Sequence, residues 1–195
     1  MVNGKTVWHK HGAMPPRTGH RPRPPLDPAT LNELALAYVG RFATSRSKLA
    51  SYLQRKLGER GWDAPEPAEP AAIAERLASL GYVDDAAFAV AKARALTGRG
   101  YGARRVGQAL YAAGIDDEDG GEARALAQDE RVEAALCMAR RRRIGPFADA
   151  PLDPARREKA LAAMLRAGHS FTLSRAIVDL LPADPVDHIS LSDLR

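Results

Sequence analysis

Residues 80–115 read LGYVDDAAFAVAKARALTGRGYGARRVGQALYAAGI, and the fold turns on how this stretch divides. Asp84 precedes a run of helix formers, so its carboxylate is placed to accept the free N–H groups of a first turn. Asp85 then sits near the positive end of the helix dipole. The helix so opened carries Phe88, Ala91 and Ala95 on its apolar side. Thr97-Gly-Arg-Gly-Tyr-Gly102 breaks it, since closely spaced glycines favour a turn over a helix. A second helix follows with Val106 and Leu110 four apart, and Gly114 stops it. Helix, tight break, helix is the helix-turn-helix arrangement.

The same grammar extends to both sides. Upstream, Asp27-Pro28 or Thr30 opens a helix through Leu31, Leu34, Tyr38 and Phe42. Leu49, Leu53 and Leu57 form the next stripe, which ends at Gly58 and Gly61. Residues 63–70 (DAPEPAEP) are a Pro-rich linker, and a helix from about Ala71 to Leu80 turns Ile73, Leu77 and Leu80 inward before Gly81. Downstream, the acidic turn 116–121 leads to one long helix from about Glu122 to Arg143, with Val132, Leu136, Cys137 and Arg140 on its stripe. Asp153-Pro154 pairs an N-cap with proline at the first helical position and opens a helix through Leu161 and Leu165 to Gly168. The last helix holds Leu173, Ile177 and Leu181.

The pairs Leu49/Leu53, Val106/Leu110 and Leu173/Ile177 each follow a helix and a short break, at offsets of 57 and 67 residues. Short helices that cannot bury their apolar faces alone are the building blocks of a helical repeat. The expected fold is all-α, an elongated tandem array of three-helix, helix-turn-helix-like repeats. The expected division is a disordered basic tail at 1–28, repeats at 29–65, 66–121 and 122–182, and a C-terminal tail at 183–195.

Composition agrees. Of 195 residues, 37 are Ala and 23 Arg, both strong helix formers. The formal net charge is +5, and residues 1–25 alone carry Lys5, Lys10, Arg17, Arg21 and Arg23 with no acid. The body is therefore neutral and basic only in patches. A single Cys excludes a disulfide framework and a Cys-based zinc site and fits a reducing, cytoplasmic setting. Apolar runs reach about six residues, as in Leu34 to Val39, far below the ~18 of a membrane span. No apolar N-terminal stretch serves as a signal peptide.

Three sets of residues occur in order: Ser45-Arg-Ser-Lys-Leu49 with Leu53 and Gly61; residues 80–89 with Gly100-Tyr-Gly102 and Leu110 to Ile115; and 139–144 (ARRRRI), 157–160 (REKA) and 166–171 (RAGHSF). Together they resemble the RecX family of regulatory proteins, bacterial modulators of the recombinase RecA, over roughly Leu34 to Leu181. The resemblance implies tandem three-helix units in a curved all-α chain. It also implies docking along the groove of the recombinase filament on single-stranded DNA, with inhibition of ATP hydrolysis, strand exchange and coprotease activity. The linker at 63–70 and the basic 25-residue tail depart from the family pattern. The family has no catalytic motif, so its implied site residues are surface patches only.

The candidate contact residues are arginines. Arg140, Arg141, Arg142 and Arg143 follow one another on a helix, so they point around its circumference; two can grip a phosphate or carboxylate while two face solvent or cover apolar surface. Arg99, Arg104 and Arg105 flank the Gly-Tyr-Gly break, where close approach of another backbone is possible. Arg46 and Lys48, with Arg55 and Lys56, decorate the helix of Leu49 and Leu53. Single-stranded or duplex DNA is expected as a secondary contact through these patches. A helix-turn-helix DNA reader is the alternative, with Arg104 and Arg105 as base-reading residues.

Asp84 and Asp85 read as capping residues rather than an acid–base pair, His169 as a structural histidine at a helix end, and Cys137 as an inert thiol on an apolar stripe. His9 and His11 stand in the tail. Ser, His and Asp occur in no catalytic arrangement, and 98–102 lacks the strand and the Lys-Ser/Thr of a phosphate loop. A monomeric, non-enzymatic protein without metal or cofactor is expected.

Overall fold

The computed structural model describes residues 23–194, and the histidines and cations of residues 1–22 lie outside them. The chain forms α1 (Pro28–Val39), α2 (Arg46–Arg60), α3 (Pro70–Ser79), α4 (Asp85–Thr97), α5 (Ala103–Tyr111), α6 (Gly121–Asp129), α7 (Arg131–Arg142), α8 (Pro154–Arg166), α9 (Phe171–Asp179) and α10 (His188–Ser192), with a 3₁₀ turn at Gly145–Phe147. No strand occurs among the described residues; Leu26 and Trp62 make one isolated parallel bridge. The protein is all-α.

Local chemistry sets the helix starts. Asp27 accepts the Thr30 N–H at 2.7 Å, Asp84 that of Ala87 at 2.8 Å, and Asp153 that of Arg156 at 2.9 Å. Pro28, Pro70 and Pro154 occupy first-turn positions, where a missing N–H costs nothing.

Three apolar clusters divide the chain. Leu26, Leu31, Leu49, Leu53, Leu77 and Val83 join α1, α2 and α3. Ala89, Ala93, Val106, Leu110, Ala123 and Ala127 join α4, α5 and α6. Val132, Leu136, Met164, Leu173, Ile177 and Leu191 join α7, α8, α9 and α10. The clusters therefore part near residues 83 and 130, whereas the sequence pattern predicts breaks at 65 and 121. The Pro-rich linker lies inside the first unit, and its last proline, Pro70, is buried.

Several expectations change with this division. The helix expected from Glu122 to Arg143 is two helices that meet at Glu130 (φ −82°, ψ 6°). Its apolar stripe steps five residues from Ala127 to Val132, off the 3.6 period, so α6 and α7 face different clusters. In α4 the buried line is Asp85, Ala89, Ala93 and Thr97, while Ala91 and Ala95 are exposed and Phe88 lies at the edge. Ala89 and Ala93 share a cluster with Ala123 and Ala127 of α6, and such small side chains let two helices approach closely. Leu80, Phe42 and Leu181 are more than half exposed, since each lies past the end of its helix. Residues 24–28 and 183–194 are not tails in their described parts. Leu26 is fully buried against the first unit, and Leu191 is 7% exposed in the third.

Consecutive units meet by one repeated joint. The Ser45 hydroxyl, at the N-cap of α2, donates to the Ala113 carbonyl just past α5 at 2.6 Å. The Gly102 N–H, at the N-cap of α5, donates to the Ala167 carbonyl just past α8 at 2.9 Å. In the first and second units the N-terminus of the second helix thus receives the C-terminal end of the next unit's second helix, a favourable opposition of dipole ends. The equivalent of Leu49/Leu53 and Val106/Leu110 in the third unit is therefore Ala160/Met164 of α8, not Leu173/Ile177, which lie on α9. The array is linear: hydrogen bonds between clusters run from first to second and from second to third.

Glycines make the joints possible. A Cβ on Gly102 would stand 2.4 Å from the Gly168 backbone, and one on Gly114 2.3 Å from Ser47. Gly168 (φ +95°) and Gly114 (φ +69°) also hold left-handed backbone conformations.

Candidate partner-binding surface

The joint between the second and third units carries a basic cleft. The α4–α5 turn brings Arg99 and Tyr101 to one wall, α7 brings Met138, Arg141 and Arg142, and the last turn of α8 brings Arg166. These enclose a cavity of ≈ 210 Å³ with no carboxylate in its lining. The Arg141 guanidinium donates to the Arg99 carbonyl at 2.7 Å, which ties α7 to the α4–α5 turn. The Arg99 guanidinium carbon lies 5.9 Å from the Tyr101 ring centroid. Among the described residues, Arg99, Arg142 and Arg166 form no ion pair. Several unneutralised guanidiniums around one concavity favour a ligand with several anionic oxygens.

The four consecutive arginines split two and two. Arg141 and Arg142 face the cleft. Arg140 covers the Phe147 ring at 4.9 Å, and Arg143 caps α7 in the left-handed conformation (φ 53°) and pairs with Asp149 at 2.8 Å. Arg104 and Arg105 lie on the first turn of α5, both exposed; Arg104 lines a neighbouring hollow with Arg131 and His169, and Arg105 reaches Gln108. Lys48 lies on the far side of the first joint, in an open groove with Tyr38, Phe42 and Tyr52. Arg166 heads the RAGHSF motif of the sequence but is not among the contact residues expected from it. Its signal was its place in the last turn of α8 just before Gly168, which only the joint connects to Arg99.

Arg46 has an internal role. Its backbone N–H donates to Asp85 Oδ1 at 2.8 Å and its Nε to Oδ2 at 3.0 Å, while its terminal nitrogens reach Asp119 at 2.7 Å and Glu75 at 3.2 Å. The bond to Asp85, foremost, raises its pKa further above its ordinary value. Asp85, 7% exposed, is thus less a helix-dipole residue than the anchor of the joint between the first and second units.

His169 lies in the second joint. It is 5% exposed, its Nε2 is 3.1 Å from the Gly100 carbonyl, and its Nδ1 is buried without a partner. Burial holds its pKa below the ordinary 6.5, although the bond to Gly100 pulls the other way, so the ring is neutral at pH 7. Cys137 is half-buried, with its thiol 3.6 Å from the Gly98 carbonyl.

A linear array of three-helix units joined end to end through glycines defines a helical-repeat protein. Comparison with known proteins gives the family. The family model described as "RecX, second three-helix domain" matches residues 84–123, the stretch from the N-cap of α4 into α6. The regulatory protein RecX of Myxococcus xanthus (strain DK1622) is 34% identical over 174 residues, covering 84% of this chain and 91% of that protein. The regulatory protein RecX of Xanthomonas campestris pv. campestris (strain B100) is 38% identical over 116 residues, or 60% of this chain and 68% of that one. The crystal structure of RecX from Lactobacillus salivarius superposes with a TM-score of 0.58 at 19% identity, covering 77% of this chain and 93% of that chain, and so shares the fold. The chain belongs to the RecX family of regulatory proteins. No described helix is long and apolar enough to cross a membrane.

Proposed function

We propose that this protein binds the RecA recombinase filament assembled on single-stranded DNA and restrains its ATP hydrolysis, strand exchange and coprotease activity. It acts in the cytoplasm as a monomer, by contact and without catalysing a reaction. Membership of a regulatory family supports the reading, and the acid-free arginine cleft at the second joint is the observation that carries it. The three second helices, of 15, 9 and 13 residues, meet end to end, with a combined contour of about 55 Å at 1.5 Å per residue. That length exceeds the ~30 Å of a small domain, so one molecule contacts neighbouring protomers and links them. Bridged protomers lose the relative motion that turnover requires.

The helix-turn-helix alternative fits the geometry less well. A duplex reader inserts the first turn of its second helix into the major groove. Here that turn of α5 abuts the end of α8, with the Gly102 and Arg104 N–H groups bonded to Ala167 and Gly168.

The test is the single-stranded-DNA-dependent ATPase of the recombinase from the same organism, titrated with this protein. The expected result is substoichiometric inhibition, lost on joint replacement of Arg142→Glu and Arg166→Glu with helix content unchanged. Replacing Arg140 and Arg143, which serve Phe147 and Asp149, should cost much less. Inhibition that survives reversal of both cleft arginines sinks the assignment of the cleft.

A further inference from the structure

We propose a second binding site, independent of the recombinase: the open groove at the first joint holds single-stranded nucleic acid, with Phe42 as a stacking platform for an unpaired base and Lys48 as a phosphate contact. The groove, of ≈ 650 Å³, runs between the end of α1 and the first half of α2, and Ala112 at the end of α5 closes one side.

Its wall is a pile of rings. Tyr38 stacks on Tyr52 with centroids 4.2 Å apart and planes at 23°, and Phe42 follows Tyr38 at 5.2 Å and 48°. At the far end the Arg55 guanidinium carbon and the Lys56 ammonium lie 5.5 and 5.9 Å from the Tyr52 centroid. Cations close one end of the pile, and Phe42 ends the other at 56% exposure. Tyr38 and Tyr52 pack on the first apolar cluster, but Phe42 lies beyond the end of α1, outside that cluster. The fold gains little by holding it there, and an exposed ring on a groove wall offers a face on which an unpaired base stacks.

The charge fits a polyanion. Lys48 and Arg55 line the groove with the hydroxyls of Ser47 and Ser51, and no carboxylate does. Arg55 also pairs with Glu59 at 2.6 Å one turn further along α2, which leaves Lys48 as the cation without an ion-pair partner among the described residues. A single strand fits better than a duplex, whose bases stack on one another and offer no free face. It also fits better than a protein partner, because a protein anchor side chain seeks a closed apolar pocket and this groove is open.

The occupant is tested without recombinase, so that failure here leaves the filament reading untouched. A fluorescent oligothymidylate is titrated with the full chain at low salt and followed by anisotropy. Phe42→Ala should weaken binding by about 5- to 100-fold with helix content intact, Phe42→Trp should preserve it, and Phe42→Leu should not. Lys48→Gln should lower the slope of log affinity against log salt by about 0.7. Equal binding by Phe42→Ala, full rescue by Leu, or equal affinity for an abasic oligomer overturns stacking at Phe42. If the natural chain binds no oligomer while Phe42→Ala relieves recombinase inhibition, the groove belongs to a protein and the proposal is wrong.

Discussion

Gly102→Ala tests the joint. Gly102 has φ −79° and ψ 167°, which any residue adopts, so backbone strain is not the issue. The issue is space: its new Cβ would stand 2.4 Å from the Gly168 carbonyl carbon and oxygen and 2.6 Å from the His169 nitrogen. All three are backbone atoms, which no rotamer change removes. Relief requires the third unit to move away by about 1 Å, to ordinary van der Waals distance. That motion strains the Gly102-to-Ala167 and Arg104-to-Gly168 hydrogen bonds, now 2.9 and 3.3 Å, each worth about 1 kcal/mol net. Overpacking adds about 1–3 kcal/mol, and the lower chain entropy of unfolded alanine returns about 0.4–1. The net cost is about 3 kcal/mol, located at one joint. Gly107→Ala on the same helix is the control: nothing lies within 4 Å of its added Cβ, so it should stabilise by about 0.5–1 kcal/mol.

The location is as testable as the size. In an array, stability is roughly a sum over units and nearest-neighbour joints, so weakening the second joint should uncouple the third unit. Trp62 reports on the first unit, where its indole N–H donates to the Glu66 carbonyl at 2.7 Å. In a Trp8→Phe background, urea unfolding of Gly102→Ala followed by far-UV circular dichroism should split, the first phase coming at lower urea than in the parent. The Trp62 fluorescence transition should stay in place. One unshifted transition in both signals would refute the steric reading. An equal shift of both would show that the array unfolds as one unit.

Two further outcomes follow from the joints. Asp85→Ala removes the acceptor of both the Arg46 N–H and its Nε, and should destabilise by about 1–3 kcal/mol in urea titrations; the cycle with Arg46→Ala should show a coupling above about 0.5 kcal/mol. His169 has a folded-state pKa below its unfolded 6.5, so below that pH the unfolded chain takes up the proton first. Stability should therefore fall as pH drops from about 6.5 towards the lower folded value, and His169→Gln should flatten that part of the melting-temperature profile.

What the sequence made legible was local. Asp27, Asp84 and Asp153 announce their helices because an N-cap needs only a carboxylate and the next three residues. The face a helix turns inward was less legible where its neighbour is small. Phe88 is the largest apolar residue of α4, yet the partner helix presents Ala123 and Ala127, so the alanine line is buried instead. The sequence pattern sets the third repeat one helix too late because α8 buries Ala160 and Met164, a weaker signal than Leu173 and Ile177 on α9. The arginine cleft was legible only in part. Arg99 and Arg141 stand beside recognisable breaks, but their meeting depends on the joint, and Arg166 enters through the same contact.

The joints account for part of the family resemblance. Ser45, Gly102, Gly114, Gly168 and His169 belong to the motifs that carry it and lie in contacts between units, while Gly100, Tyr101, Arg141, Arg142, Arg166 and Ala167 of the same motifs line the cleft. A joint admits few residues: Gly102 has no room for a methyl group, and Gly114 and Gly168 need positive φ as well as space. A guanidinium on a cleft wall has looser demands, since a flexible side chain can reach one anion from several backbone positions. The joint residues of the motifs thus fix how closely successive units meet. The cleft arginines supply the charge of the proposed contact surface. Function in such a protein is exposed to damage at residues that touch no partner: Gly102→Ala, which leaves every cleft arginine in place, should weaken recombinase inhibition by misplacing Arg142 and Arg166 relative to Arg99.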